Sequence, residues 1–115
     1  MLVSDDASRT SSGPGRAGKL GVLITEKGAG RYEGEVLAGR PHGYGKYFSL
    51  KAGRQWELEY EGEWVQGMRQ GQGLRQYANG EGYEGDFSAG QRHGYGRYNF
   101  ANGDLYAGEW VDDRR

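Results

Sequence analysis

Few places in the chain combine residue types and spacings that could support chemistry. The segment Gly13-Pro14-Gly15-Arg16-Ala17-Gly18-Lys19 has the spacing of a phosphate-binding loop, in which backbone N–H groups cradle phosphates and the lysine reaches their oxygens. Leu20 stands where Ser or Thr should ligate Mg²⁺, no strand pattern precedes the segment and no helix pattern follows it, so no nucleotide site is assigned. His42 and His93 lie one repeat unit or more apart, without a carboxylate or third ligand at metal-binding spacing, and read as turn residues. Asp112-Asp113 and the glutamate runs suggest no buried carboxyl pair and no Ser, His and acid set for nucleophilic chemistry. With no Cys, thiolate metal sites, disulfides and a cysteine nucleophile are absent. A non-enzymatic chain with no cofactor and no metal is expected.

The concentrated chemistry is aromatic. Tyr32, Tyr60, Trp64, Tyr83, Phe87, Tyr106 and Trp110 recur in step with glycines. Such rings either bury one another or form a partly open, concave face that anchors a partner helix or peptide. Both readings can hold for different rings.

The elements that position these rings follow from their period. Tyr32, Tyr60, Tyr83 and Tyr106 each open a Tyr-x-Gly motif, at spacings of 28, 23 and 23 residues. Two residues after each Tyr comes Gly34, Gly62, Gly85 or Gly108; four after comes Val36, Trp64, Phe87 or Trp110. Gly43, Gly71 and Gly94 stand eleven residues on, and Gly45, Gly73 and Gly96 thirteen. From Trp56 to Trp64 the even positions hold Trp56, Leu58, Tyr60, Gly62 and Trp64 while the odd ones hold glutamates. This alternation predicts a strand with all five even residues on one packed face. Glycine every few residues and the lack of i, i+3, i+4 spacing argue against any helix. Each unit reads as a hairpin turning through Gly39, Gly67 or Gly90, and Asn79-Gly80 and Asn102-Gly103 link units by turns with two positive φ angles. Rings over bare glycine backbone would then supply a thin core.

The expected fold is all-β: an elongated, single-layer antiparallel sheet of tandem hairpins over residues 18–115, preceded by a flexible leader, 1–17, rich in Ser and Gly. A partial unit covers 18–31, full units start at 32, 60 and 83, and a truncated unit covers 106–115, breaking off where its turn should form. The first full unit is five residues longer, which should extend both arms of a hairpin around Lys51-Ala52-Gly53. Acids on first strands and bases (Arg40, Lys46, Arg69, Arg75, Arg92 and Arg97) on turns and returning strands read as a solvated face that sets register.

The formal net charge of −1 provides no field for nucleic acid, so no nucleic-acid partner is expected. The N-terminus carries Asp5 and Asp6 and lacks a secretory apolar core, and no run approaches membrane-spanning length, so a soluble, cytoplasmic protein is expected.

The unit resembles the MORN repeat (membrane occupation and recognition nexus), Tyr-x-Gly-x-Trp-x-x-Gly-x-x-x-Gly-x-Gly. It is matched by Tyr60, Gly62, Trp64, Gly67, Gly71 and Gly73, and by Tyr83 to Gly96 with Phe87 in the Trp place. Val36, Gln70 and Asp113 depart from that pattern. The resemblance implies a β-hairpin scaffold binding protein partners in cytoskeletal, ciliary or membrane-contact assemblies. Its alternatives are attachment to anionic phospholipid at a cytoplasmic membrane face, or a regulatory segment of a larger enzyme such as a phosphatidylinositol phosphate kinase. An open sheet edge would also permit self-association.

Overall fold

The computed structural model describes residues 19–25, 27–51 and 55–115. The expected leader, the phosphate-loop segment up to Gly18, and Ala52 and Gly53 of the expected hairpin tip lie outside the described residues. Eight strands follow one another in chain order in one antiparallel sheet: β1 (Lys19–Ile24), β2 (Gly30–Leu37), β3 (Arg40–Lys51), β4 (Gln55–Val65), β5 (Met68–Gln76), β6 (Gly82–Ser88), β7 (Gln91–Asn99) and β8 (Leu105–Trp110). No described residue is helical. The extra residues of the first full unit lengthen β3 to 12 residues and β4 to 11, against 9 for β5.

Register turns the sequence period into rows across the sheet. Gly21, Gly34, Gly45, Gly62, Gly73, Gly85, Gly96 and Gly108 pair in succession, so one glycine from every strand stands in a single line. Two residues away runs a parallel row of Leu23, Tyr32, Tyr47, Tyr60, Arg75, Tyr83, Tyr98 and Tyr106. Side chains two apart on a strand share a face, so tyrosines lie beside a trough of bare backbone. This is the core side of the sheet. Its buried hydrophobic side chains are Tyr32, Tyr60, Trp64, Tyr83, Phe87 and Trp110.

The predicted alternation breaks at one place. Tyr47 pairs with Tyr60, but the next residue, Phe48, pairs with Leu58, leaving Glu59 as an extra residue on β4. A bulge of one residue reverses the faces beyond it. Trp56 and Leu58 therefore stand on the outer face with Leu50 and Phe48, opposite Tyr60, and Glu59 turns onto the ring face.

The turns also exchange roles. Asn79 and Asn102 do not take positive φ; only Gly80 (90°) and Gly103 (96°) do. The Asn side chains instead accept from the N–H groups of Glu81 and Asp104 at 3.0 and 2.9 Å, the local bonding that makes Asn a turn residue. Two successive positive φ values belong to the turns inside the units: Ala38-Gly39, Gln66-Gly67, Ala89-Gly90 and Asp112-Asp113. The last of these closes with hydrogen bonds in both directions between Val111 and Arg114, so the final turn, expected to be missing, is formed.

The last three of these turns are each clasped by the unit before. Gly67, Gly90 and Asp113 donate their N–H groups to the carbonyls of Pro41, Arg69 and Arg92, each at 2.9 Å. The preceding residues, Gln66, Ala89 and Asp112, donate to His42 Nδ1, Gln70 Oε1 and His93 Nδ1 at 3.2, 2.9 and 3.3 Å. His42 and His93 are thus on returning strands rather than in turns, and Gln70 performs the same task between them.

Candidate functional site

All seven aromatic residues singled out from the sequence come together in one file. Tyr32, Trp64, Tyr60, Phe87, Tyr83, Trp110 and Tyr106 meet edge to face in that order, with centroids 5.0–5.5 Å apart and planes 78–87° from parallel. Contacts of this geometry contribute about 0.5–1.5 kcal/mol each beyond area burial. Trp64 and Trp110 donate from Nε1 to the carbonyls of Gly45 and Gly96 at 3.1 and 3.3 Å, fixing the file to the sheet.

The glycines explain how one layer holds these rings. A Cβ on Gly45, Gly73 or Gly96 would lie 2.1–2.3 Å from the hydroxyl of Tyr32, Tyr60 or Tyr83. Each tyrosine covers the glycine of the returning strand as well as approaching the one in its own motif. The hydroxyls of Tyr32, Tyr60, Tyr83 and Tyr106 donate to the carbonyls of Glu35, Glu63, Asp86 and Glu109, three residues on. At Gly34, Gly62 and Gly85 a Cβ would meet facing backbone within 2.5 Å, just before the register shifts. Gly43, Gly71 and Gly94 have positive φ and lie against the carboxylates of Glu35, Glu63 and Asp86. Glu35 is consequently 5% exposed instead of belonging to a solvated face. Gly108 takes the Tyr106 hydroxyl at 2.6 Å from its notional Cβ.

Six of the seven rings are buried, and Tyr60 and Tyr83 have no exposed surface. What this face offers to the outside is the next tier of residues. A groove of about 410 Å³ is lined by Leu23, Tyr32, Pro41, Tyr47, Trp64 and Met68, together with Arg69. Farther along, Arg75 and Arg92 lie over the Tyr77 ring at 4.8 and 5.8 Å, and Arg92 also lies over Trp110 at 4.6 Å. Arg69 lies 5.6 Å from the Tyr60 centroid. These arginines and Glu59 therefore sit on the ring face, contrary to the expected segregation of charge, because long guanidinium side chains cover aromatic surface while keeping part of the head group open. The signal was present: Pro41, Arg69 and Arg92 are each nine residues beyond the opening Tyr of their unit, on the ring-side parity.

Electrostatics follow from this packing. Burial, with the charge of Asp86 adding to it, pushes the Tyr83 hydroxyl up to about 12. Burial and the Tyr98 hydroxyl's bond to Glu81 raise Tyr98 to about 12. The hydroxyls of Tyr32 and Tyr60 are raised further, chiefly by burial. Arg69 is lowered by burial and by the neighbouring Arg75, with Glu59 opposing. Among the described residues there is no group of three or more His, Asp and Glu placed to hold a metal.

The rows of tyrosine and glycine are repeated unit by unit, and the MORN repeat family model matches residues 32–49, 60–82, 83–105 and 106–115, well over half of the chain. The chain belongs to the MORN repeat family. Each matched MORN segment starts at a tyrosine whose hydroxyl makes the bond three residues on. Between the first two MORN matches lie the last residues of β3 and the first residues of β4, including the Glu59 bulge. No curated protein matches the chain.

Proposed function

We propose that this MORN-repeat chain is a non-enzymatic scaffold that holds a protein partner against the ring-bearing face of its sheet. The observation that carries the reading is the 410 Å³ apolar groove between Leu23, Pro41, Tyr47 and Met68. The file of buried rings beneath it supplies a rigid floor, so binding costs little ordering of the module itself. A cytoplasmic setting in a cytoskeletal, ciliary or membrane-contact assembly is the family-level extension of this proposal. Attachment to anionic lipid has less support. The outer-face row Glu33, Lys46, Glu61, Leu74, Glu84, Arg97 alternates acids with bases, whereas a bilayer gives about 1 kcal/mol per base only where bases are gathered.

The chain has no Cys, so single-cysteine variants Met68→Cys and Tyr95→Cys can carry a photo-crosslinker to the groove and to the opposite face. A protein partner captured from Met68 and not from Tyr95 supports the reading. Equal capture from both positions, or flotation with anionic vesicles without protein capture, overturns it.

A further inference from the structure

Three arginines continue from the groove across the same face through shared contacts. Arg69 lines the groove; Arg69 and Arg75 both reach the Glu59 carboxylate, at 4.0 and 3.3 Å; Arg75 and Arg92 share the Tyr77 ring; Arg92 pairs with Asp113 at 3.0 Å. Three guanidinium groups thus meet two carboxylates, and Arg75 Nε is buried without a hydrogen-bond partner. The three side chains remain 23%, 24% and 19% exposed. A strip of three partly exposed guanidinium groups against two carboxylates begins where the apolar groove ends.

We infer that the partner segment is an acidic peptide: its apolar side chains enter the groove beside Leu23, Tyr47 and Met68, and the carboxylates next to them meet Arg69, Arg75 and Arg92. This rests on the protein-binding reading above and adds the partner's chemistry to it. Carboxylate is the matching group because a guanidinium offers its donors as a planar fork that a carboxylate meets bidentately. A bilayer is disfavoured here by geometry. The three guanidinium carbons lie 5.6, 4.8 and 4.6 Å from the ring centroids of Tyr60, Tyr77 and Trp110 and beside two carboxylates, which holds them against the sheet instead of leaving them extended for a plane of headgroups.

The test pans a display library of randomised peptides against the full chain and measures the resynthesised winners by calorimetry. Winners that pair apolar residues with Asp or Glu, lose about tenfold in affinity on Arg69→Gln with Arg92→Gln, and weaken as salt is raised support the inference. Should the double variant fail to fold, Glu→Gln and Asp→Asn changes in the peptide measured against the unmodified chain give the same readout. Apolar winners without acids, indifferent to salt and to the arginines, overturn the inference and leave the protein-binding reading standing. Failure to enrich any peptide, with binding of phosphatidylserine-containing vesicles instead, overturns both.

Discussion

The hydroxyl of Tyr60 donates to the backbone carbonyl of Glu63, three residues along the same strand, at 2.9 Å. A strand carbonyl normally points to a neighbouring strand; this one is freed where the register shifts between Gly62 and Trp64. The tyrosine that covers Gly73 also satisfies the group that the bulge exposes. Tyr60→Phe keeps the ring and removes only that bond, so we expect a loss of about 1 kcal/mol, seen as an earlier urea midpoint with unchanged slope. Tyr60→Ala removes the ring from contacts with Trp64 and Phe87 and should cost about 3–5 kcal/mol. Equal effects from the two changes would contradict this division of roles.

Glycine tolerance should divide by position. Gly73→Ala places a Cβ 2.3 Å from the Tyr60 hydroxyl and 2.5 Å from its ring carbons, and that ring is held edge-on between Trp64 and Phe87. A loss of about 2–3 kcal/mol is expected. At Gly82 the nearest atoms to a Cβ lie 3.5 Å or more away, so Gly82→Ala should be nearly neutral. Thermal melts of the two variants side by side check the contrast.

The clasp between units predicts a chemically specific rescue. His93→Ala leaves the N–H of Asp112 without its 3.3 Å acceptor and should lower stability by about 1 kcal/mol. His93→Gln supplies the acceptor that Gln70 already provides to Ala89 and should recover most of that loss. Hydrogen exchange at the Asp112 amide reads the bond itself.

Alkali should unfold the sheet through its tyrosines. Tyr83 and Tyr98 hold their protons up to about 12, whereas an unfolded tyrosine ionises near ~10. Below the unfolded value both states are protonated and the contribution to stability is complete. Between the two values only the unfolded chain releases protons, so stability falls as pH rises. Phenolate absorbance should appear together with loss of the far-ultraviolet β signal. A smooth titration centred on the ordinary tyrosine value, with the fold intact, would count against the burial of these hydroxyls.

The period, the hairpins and the alliance of rings with glycine were legible because Tyr-x-Gly repeats at fixed spacing and strand faces alternate. The Glu59 bulge was hidden by that same regularity: unbroken alternation from Trp56 to Trp64 gives no sign that β3 supplies one residue fewer than β4 over the stretch. The turn types differ from expectation because Asn-Gly is so strong a signal for paired positive φ. Here Asn79 and Asn102 use their side chains to close wider turns, while Ala38, Gln66 and Ala89 take the left-handed conformation. The ring-face arginines read as solvated charge because composition does not tell a guanidinium in water from one held over Trp110.

The clasps run in one direction, from each of the three later turns back to the preceding unit, and this gives the ribbon a grain. Peeling from β8 releases one clasp and leaves the next hairpin fully fastened. Peeling from β1 and β2 onward leaves every newly exposed hairpin with a slack turn. A tether should therefore break one clasp per hairpin from either end, but it uncovers a fastened hairpin when the trailing end is drawn and a slack-turned one when the leading end is, as a zip fastener opens differently from its two ends.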